Sequence, residues 1–128
     1  MKRVVGIGGI FFKAKNTKAL ASWYKTHLGV PIDDSFGGYT FNWNNNTERP
    51  SKGYTIWSPF KSNTDYLEPS EKDFMFNFIV DDLKALVEVL KSEEINLIGD
   101  IEDTEFGLFT WILDPEGNKV ELWDPANG

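Results

Sequence analysis

The chain has 128 residues and a formal net charge of -7, and it is 41% hydrophobic and 15% aromatic. This apolar content excludes a disordered chain and suits a single domain over residues 1–128. The acidic balance argues against a nucleic-acid partner, and no apolar run approaches the ~20 residues of a membrane helix. The absence of cysteine excludes disulfides and is compatible with the reducing cytoplasm in which we expect the protein.

The first half of the chain predicts a long strand, a helix and three short strands. Val4–Ala14 is an apolar run rich in β-branched residues, which we interpret as a strand rather than a signal peptide because no small-residue cleavage site follows. Asn16 or Thr17 then offers an N-cap, and Gly29 provides the stop for a helix. Short strands are expected near 31–36, 39–44 and 54–57.

The second half predicts the same order of elements. Phe74–Val80 is an apolar strand, and Asp81 or Asp82 caps a second helix. Strands are expected near 96–101, 106–113 and 119–123, with an Asp-Pro-Glu-Gly turn at 114–117 before the last of them. The hydrophilic stretch 61–72 is interpreted as a linker between module one, about 1–62, and module two, about 72–128.

A constant offset of 66 residues relates the two halves. Thr-Ile-Trp-Ser-Pro at 55–59 resembles Glu-Leu-Trp-Asp-Pro at 121–125, and the same offset relates Phe12 to Phe78. Each half therefore predicts a βαβββ module with a helix on one face of its sheet only. We predict an α+β fold in which two such modules, related by a pseudo-two-fold axis, form curved mixed sheets around a concave cavity.

Charge is divided unevenly between the halves. Residues 1–64 carry nine Lys or Arg and three Asp or Glu, whereas residues 65–128 carry four and seventeen. This division fits two solvated faces, or two halves that attract each other within a chain or across a dimer. We expect a homodimer, and both ways of pairing the modules remain open.

Two motifs resemble those of the vicinal-oxygen-chelate superfamily, which includes glyoxalases, bleomycin-resistance proteins and extradiol dioxygenases. Trp-Tyr-Lys-Thr-His-Leu-Gly at 23–29 is similar to the family's helix end, and Asp-Pro-Glu-Gly-Asn-Lys-Val-Glu-Leu at 114–122 is similar to its final hairpin. The resemblance covers nearly the whole chain. It implies a glyoxalase/bleomycin-resistance-like fold and no particular reaction.

The resemblance also marks the positions where metal-dependent members hold their ion. These positions fall on Gly9, Thr55, Met75 and Glu121, and only Glu121 is a suitable ligand for hard or borderline cations. His27, the one histidine, belongs to the helix-end motif and is expected to be a surface residue. Since zinc needs at least three protein ligands, we predict neither a metal nor another cofactor.

Strand alternation extends these positions to a predicted cavity lining, because residues two apart share a face. The expected ligand-binding residues are Phe11, Thr55, Trp57, Met75, Asn77, Trp111, Glu121 and Trp123, with Trp43 as the alternative to Trp111 at the edge. The opposite face, packed on the helices, is expected to hold Phe74, Phe76, Phe78, Val120 and Leu122. Each cavity aromatic could equally be an ordinary core residue.

Two functions remain open at this point. The first is a metal-free protein, similar to bleomycin-resistance proteins, that binds a small hydrophobic or aromatic ligand, including a cationic one, in an aromatic-lined cleft. The second is a lyase, isomerase or dioxygenase-type enzyme of the same superfamily with Glu121 as its general base or sole retained metal ligand. Losing three of four ligand positions disfavours a metal-dependent reaction.

Overall fold

The computed structural model describes residues 3–42 and 54–125, which form seven strands and two helices. In chain order these are β1 (Val4–Ala14), α1 (Thr17–Leu28), β2 (Tyr39–Asn42), β3 (Tyr54–Lys61), β4 (Phe74–Val80), α2 (Leu83–Ser92), β5 (Leu97–Thr104), β6 (Gly107–Leu113) and β7 (Lys119–Pro125). The strands form one mixed sheet in the order β2-β3-β1-β4-β7-β6-β5. The predicted α+β class is confirmed. Neither helix is long and apolar enough to cross a bilayer.

The modules meet at the centre of this sheet, where β1 and β4 pair antiparallel. Within each module the first strand pairs in parallel with the last one, β1 with β3 and β4 with β7. The helices lie on one face, which we call the outer face, with α1 against β3 and α2 against β6 and β7. The other face, the inner face, is therefore left without a helix.

Both helices begin at the predicted caps. The Asn16 side chain accepts a hydrogen bond from the Ala19 amide at 3.0 Å, and Asp82 accepts one from the Ala85 amide at 3.2 Å. Gly29 ends α1 with φ of 69°, a left-handed conformation that favours glycine. The four buried positions of α2 share one apolar face against the sheet: Leu83, Leu86, Val87 and Leu90.

The strand expected at 31–36 is absent, which corrects the prediction for module one. This segment makes only an isolated bridge between Asp33 and Gly38. The Asp33 carbonyl accepts from the amides of Phe36 and Gly37, and its carboxylate accepts from the Ser35 amide. These local bonds close a turn instead of a ladder, so module one is βαββ within the described residues. Trp43 and the end of the strand expected at 39–44 lie outside them.

The outer face confirms part of the predicted helix packing. Leu122 is buried under α2, and Phe78 and Val120 pack against the same cluster. Phe74 and Phe76 are 37% and 45% exposed, so the prediction that they pack on a helix is wrong. They pair with β1 at the centre of the sheet, between the strands that the two helices cover.

Candidate functional site

The inner face carries a cavity of about 800 Å³. Eight aromatic side chains contribute to its wall: Phe11, Phe36, Tyr54, Phe60, Tyr66, Phe106, Phe109 and Trp123. Its polar lining residues are Asp33, Ser35, Thr40, Thr64, Asn77 and Glu121. The predicted concave cavity is thus present, and its wall is mainly aromatic.

Four of the predicted residues line this cavity: Phe11, Asn77, Glu121 and Trp123. The sheet brings them together. Asn77 on β4 pairs directly with Glu121 on β7, and Phe11 on β1 pairs with Met75, two residues before Asn77 on β4. The Trp123 ring stacks on Phe109 with centroids 5.7 Å apart and planes 6° from parallel. Their role in ligand binding stays a prediction.

Met75 and Trp111 do not line the cavity, although both lie on the inner face as predicted. Met75 is fully buried and Trp111 nearly so, in a cluster with Phe11 and Leu67. Trp111 acts on the site through its indole Nε1, which donates to Glu121 Oε2 at 2.8 Å. Met75 and Trp111 therefore pack against residues that line the cavity without lining it themselves.

Thr55 and Trp57 lie on the other face, so the prediction that they line the cavity is wrong. Their neighbour Ile56 lines it instead. Trp57 packs against Tyr24 of α1, with ring centroids 4.7 Å apart, and the Thr55 hydroxyl donates to the Ile7 carbonyl at 2.6 Å. Trp57 is therefore a packing residue of the outer face.

The strand register explains this error. Gly9 pairs with Ile56 in module one, and Asn77 pairs with Glu121 in module two. The two separations, 47 and 44 residues, differ by three, whereas a perfect repeat would make them equal. A register shift by an odd number of residues turns every side chain of a strand to the opposite face. Thr55, which the offset of 66 aligns with Glu121, therefore lies on the face that α1 covers.

Glu121 is the centre of the polar part of the site. It is 2% exposed, and three donors surround its carboxylate. Asn77 Nδ2 donates to Oε1 at 2.6 Å, and Trp111 Nε1 and the Tyr66 hydroxyl both donate to Oε2. Burial, and then the negative charge of Glu121, raise the pKa of Tyr66 far above its usual range, so the phenol keeps its proton and donates it.

Tyr66 and Lys119 are the site residues that the sequence interpretation missed. Tyr66 comes from the stretch treated as a linker, where the adjacent Leu67 is 1% exposed and holds the segment on the inner face. The Lys119 ammonium donates to the Tyr66 carbonyl at 2.5 Å and lies 5.0 Å from the Tyr66 ring centroid. Burial lowers the pKa of Lys119. The apolar pair at 66–67 within a hydrophilic stretch was the available signal.

The residues present do not fit the metal site that the resemblance implies. A Cβ on Gly9 would lie 2.6 Å from the Phe11 ring, so that ring covers the first ligand position. Met75 is buried, Thr55 faces away, and both oxygens of Glu121 already accept hydrogen bonds. Within 3–42 and 54–125, no three Asp, Glu, His or Cys side chains are grouped to hold an ion.

Comparison with known proteins identifies relatives of the whole chain. Residues 6–122 match the family model described as Glyoxalase/Bleomycin resistance protein/Dioxygenase superfamily. No match was found among curated protein sequences.

Similar solved structures include methylmalonyl-CoA epimerase from Mycobacterium tuberculosis, with a TM-score of 0.61, 19% identity, and coverage of 96% of this chain and 89% of that one. A superfamily member from Vibrio splendidus 12B01 gives a TM-score of 0.56 at 13% identity, covering 97% and 99% of the two chains. A methylmalonyl-CoA epimerase in complex with methylmalonyl-CoA and NH4+ gives 0.67 at 14% identity, covering 97% and 96%. At these identities the likeness shows the fold alone.

Proposed function

The chain belongs to the Glyoxalase/Bleomycin resistance protein/Dioxygenase superfamily, and from that membership we propose that it binds a small hydrophobic or aromatic ligand, including a cationic one, in the inner-face cavity without a metal ion. The observation that carries the proposal is the composition of the cavity wall. Eight aromatic rings surround about 800 Å³, a volume within the usual range for sites that take drug-sized molecules.

The arrangement of the rings favours a flat ligand. Trp123 stacks on Phe109, and Phe11 stacks on Phe60 with centroids 5.1 Å apart, so neighbouring walls present ordered aromatic faces. A ligand ring that adds to such a stack gains about 0.5–1.5 kcal/mol per aromatic pair beyond the burial of its area. The rim contributes Phe106, which is 60% exposed and available to close over a ligand.

The charge of the wall supports inclusion of cationic ligands. Asp33 and Glu121 are the charged side chains among the described lining residues, and neither Lys nor Arg is among them. A positive ligand therefore meets no like charge in the described part of the wall, while a negative one meets two carboxylates.

Replacing Phe106 tests the proposal with little risk to the fold, because this side chain is largely exposed. The probe is 2-naphthamide, a neutral planar aromatic, titrated into the protein while tryptophan fluorescence is followed. Phe106→Ala should weaken binding by about threefold to tenfold, the equivalent of one or two lost aromatic contacts. The matched control is Phe76→Ala, a similarly exposed phenylalanine on the outer face, which should leave the dissociation constant unchanged.

Two results would contradict the proposal. The first is the absence of saturable binding by the unaltered protein. The second is an equal loss of affinity in Phe106→Ala and Phe76→Ala, which would place the binding surface outside the cavity.

The absence of a metal is tested separately. We predict no tight binding of zinc, nickel, manganese or iron at Glu121, since its carboxylate accepts from three protein donors and no further ligands are grouped with it in the part of the chain that the structure describes. Calorimetric titration checks this. A sub-micromolar site that disappears in Glu121→Ala would overturn the metal-free proposal.

An enzyme of the same superfamily is the second candidate, favoured by one observation. Glu121 is a buried carboxylate that also lines the cavity, the position expected of a general base in a lyase, isomerase or dioxygenase-type enzyme. Its three donors oppose this role, because the proton of a substrate would have to compete with them for the carboxylate oxygens. Methylmalonyl-CoA, bound in a related epimerase, is a defined first substrate to assay. Turnover that is lost in Glu121→Gln would establish the enzyme.

A further inference from the structure

We propose that the floor of the cavity, formed by Tyr66, Asn77 and Glu121, selects ligands that bring N–H donors to it, such as amidines and amines, and rejects carboxylates and phosphates. This inference rests on the proposed function and adds the polar chemistry of the ligand to it. Its basis is the balance of donors and acceptors that the protein leaves unpaired at the floor.

Each donor group at the floor already directs one proton to Glu121. The Tyr66 hydroxyl, Asn77 Nδ2 and Trp111 Nε1 each direct a proton to its carboxylate. A phenol and an indole have one such proton each, so neither Tyr66 nor Trp111 has a second to offer a ligand. Asn77 Nδ2 has a second proton, but a ligand carboxylate that accepted it would lie beside the like charge of Glu121, and any other donor would have to be taken from Glu121.

The acceptors at the floor are not used up. Asn77 Oδ1 is buried and has no hydrogen-bond partner in the described structure. Glu121 Oε1 accepts one hydrogen bond and can accept a further one, as can the phenol oxygen, whereas Oε2 already accepts two. A buried acceptor without a partner costs free energy until a donor reaches it, so this floor favours a ligand that supplies protons.

The orientation of the Asn77 amide follows from chemistry. Amide nitrogen and oxygen are assigned from their partners, and a carboxylate accepts hydrogen bonds without donating them. Asn77 must therefore turn Nδ2 towards Glu121, and Oδ1 is left on the side of Gly8. A Cβ on Gly8 would lie 2.2 Å from Oδ1, so the glycine provides the room for this atom.

The nearest ammonium does not reverse this polarity. Lys119 is buried beside Tyr66 and Trp111, and its Nζ donates to the Tyr66 carbonyl. It does not line the cavity. A ligand oxygen would therefore find no free cation at the floor, and its remaining donor, the second N–H of Asn77 Nδ2, lies beside the Glu121 carboxylate.

An isosteric pair of probes tests the inference. 2-Naphthamidine presents N–H donors and no acceptor, whereas 2-naphthoate presents acceptors only, and both have the flat ring that the proposed function requires. Measured by tryptophan fluorescence, 2-naphthamidine should bind at least about tenfold more tightly than 2-naphthoate, the effect of one charge-assisted hydrogen bond.

Variants separate the floor from the aromatic wall. Glu121→Gln should lower the ratio of the two affinities by about fivefold or more, because an amide replaces the carboxylate that accepts the donors. Phe106→Ala should weaken both probes and leave the ratio unchanged. Tyr66→Phe keeps the carboxylate and frees one of its acceptor sites, so the ratio should stay at the wild-type value or rise. This last variant decides the question if Glu121→Gln fails to fold.

The outcomes distinguish the two proposals. Equal affinities, or tighter binding of 2-naphthoate, would overturn the donor selectivity and leave the proposed function standing. An unchanged ratio in a folded Glu121→Gln, or a lower ratio in Tyr66→Phe, would also overturn it. Binding of neither probe, with 2-naphthamide inactive as well, would overturn both.

Discussion

Glu121→Ala should destabilise the folded protein although it removes a buried charge. The substitution leaves Trp111 Nε1 and Asn77 Nδ2 without their acceptor, and both side chains are buried. It also releases the Tyr66 hydroxyl, but Tyr66 is 39% exposed. We therefore attribute the loss of stability to the two buried donors.

The magnitude follows from this count of donors. A buried donor without a partner costs about 1–3 kcal/mol, so two such donors set a range of about 2–6 kcal/mol. Two effects act in the opposite direction. Folding no longer has to remove a carboxylate from water, and water from the cavity can reach part of the vacated space. We expect a decrease of about 3 kcal/mol in the free energy of unfolding.

Urea unfolding followed by circular dichroism measures this change, with the unfolding free energy extrapolated linearly to water. The control is Glu88→Ala on α2. The Glu88 carboxylate lies 3.8 Å from Lys91 Nζ, and both side chains are largely exposed. Such a surface pair contributes at most about 0.5 kcal/mol. A loss below about 1 kcal/mol in Glu121→Ala would refute the reasoning, because the donors would then have found other partners.

Three further outcomes are expected. Phe78→Ala should lower the free energy of unfolding by about 2–3 kcal/mol, measured in urea, because its ring packs under α2. Phe76→Ala should lower it by less than about 1 kcal/mol, because Phe76 is 45% exposed. Equal losses in the two variants would contradict this assignment of the outer face. Trp57→Ala should lower stability through lost contact with Tyr24 and leave the affinity for 2-naphthamide, measured by fluorescence titration, unchanged. Weaker binding by the folded variant would show that Trp57 lines the cavity. Sedimentation velocity should show a homodimer. If a second copy covers the exposed centre of the outer face, Phe76→Asp should weaken this dimer. A monomer at all concentrations would contradict the expected dimer.

Much of the fold could be predicted because its signals are local. The bounds of β1 and β4 match the predicted strands residue for residue, because both segments are rich in the β-branched and aromatic residues that favour strands. Asn16 and Asp82 cap the helices through bonds that span three residues. Strand alternation, counted from the positions that the family resemblance marks, also placed Phe11, Asn77, Glu121 and Trp123 on the inner face, where all four line the cavity.

The errors arise where distant parts of the chain decide the structure. Thr55 and Trp57 were placed on the wrong face because alternation shows that every second side chain of a strand shares a face, but not which set faces the cavity. That choice depends on the register of the strand against its parallel neighbour. Tyr66 was missed because the apolar pair at 66–67 does not show by itself that Leu67 holds Tyr66 against Glu121, 55 residues further along the chain. Two donors that are distant in sequence, Tyr66 and Asn77, reach the Glu121 carboxylate only after folding.

The sequence by itself determined the α+β class and the starts of the helices, because these depend on residue type and periodicity within about ten positions, and its motifs identified the family and, through it, the inner face of the central strands. Only the tertiary structure decided the face of β3 and the docking of the segment around Tyr66. The physical reason is that strand register is set by pairing between segments tens of residues apart. A shift of one residue in that pairing moves every side chain of the strand to the opposite face.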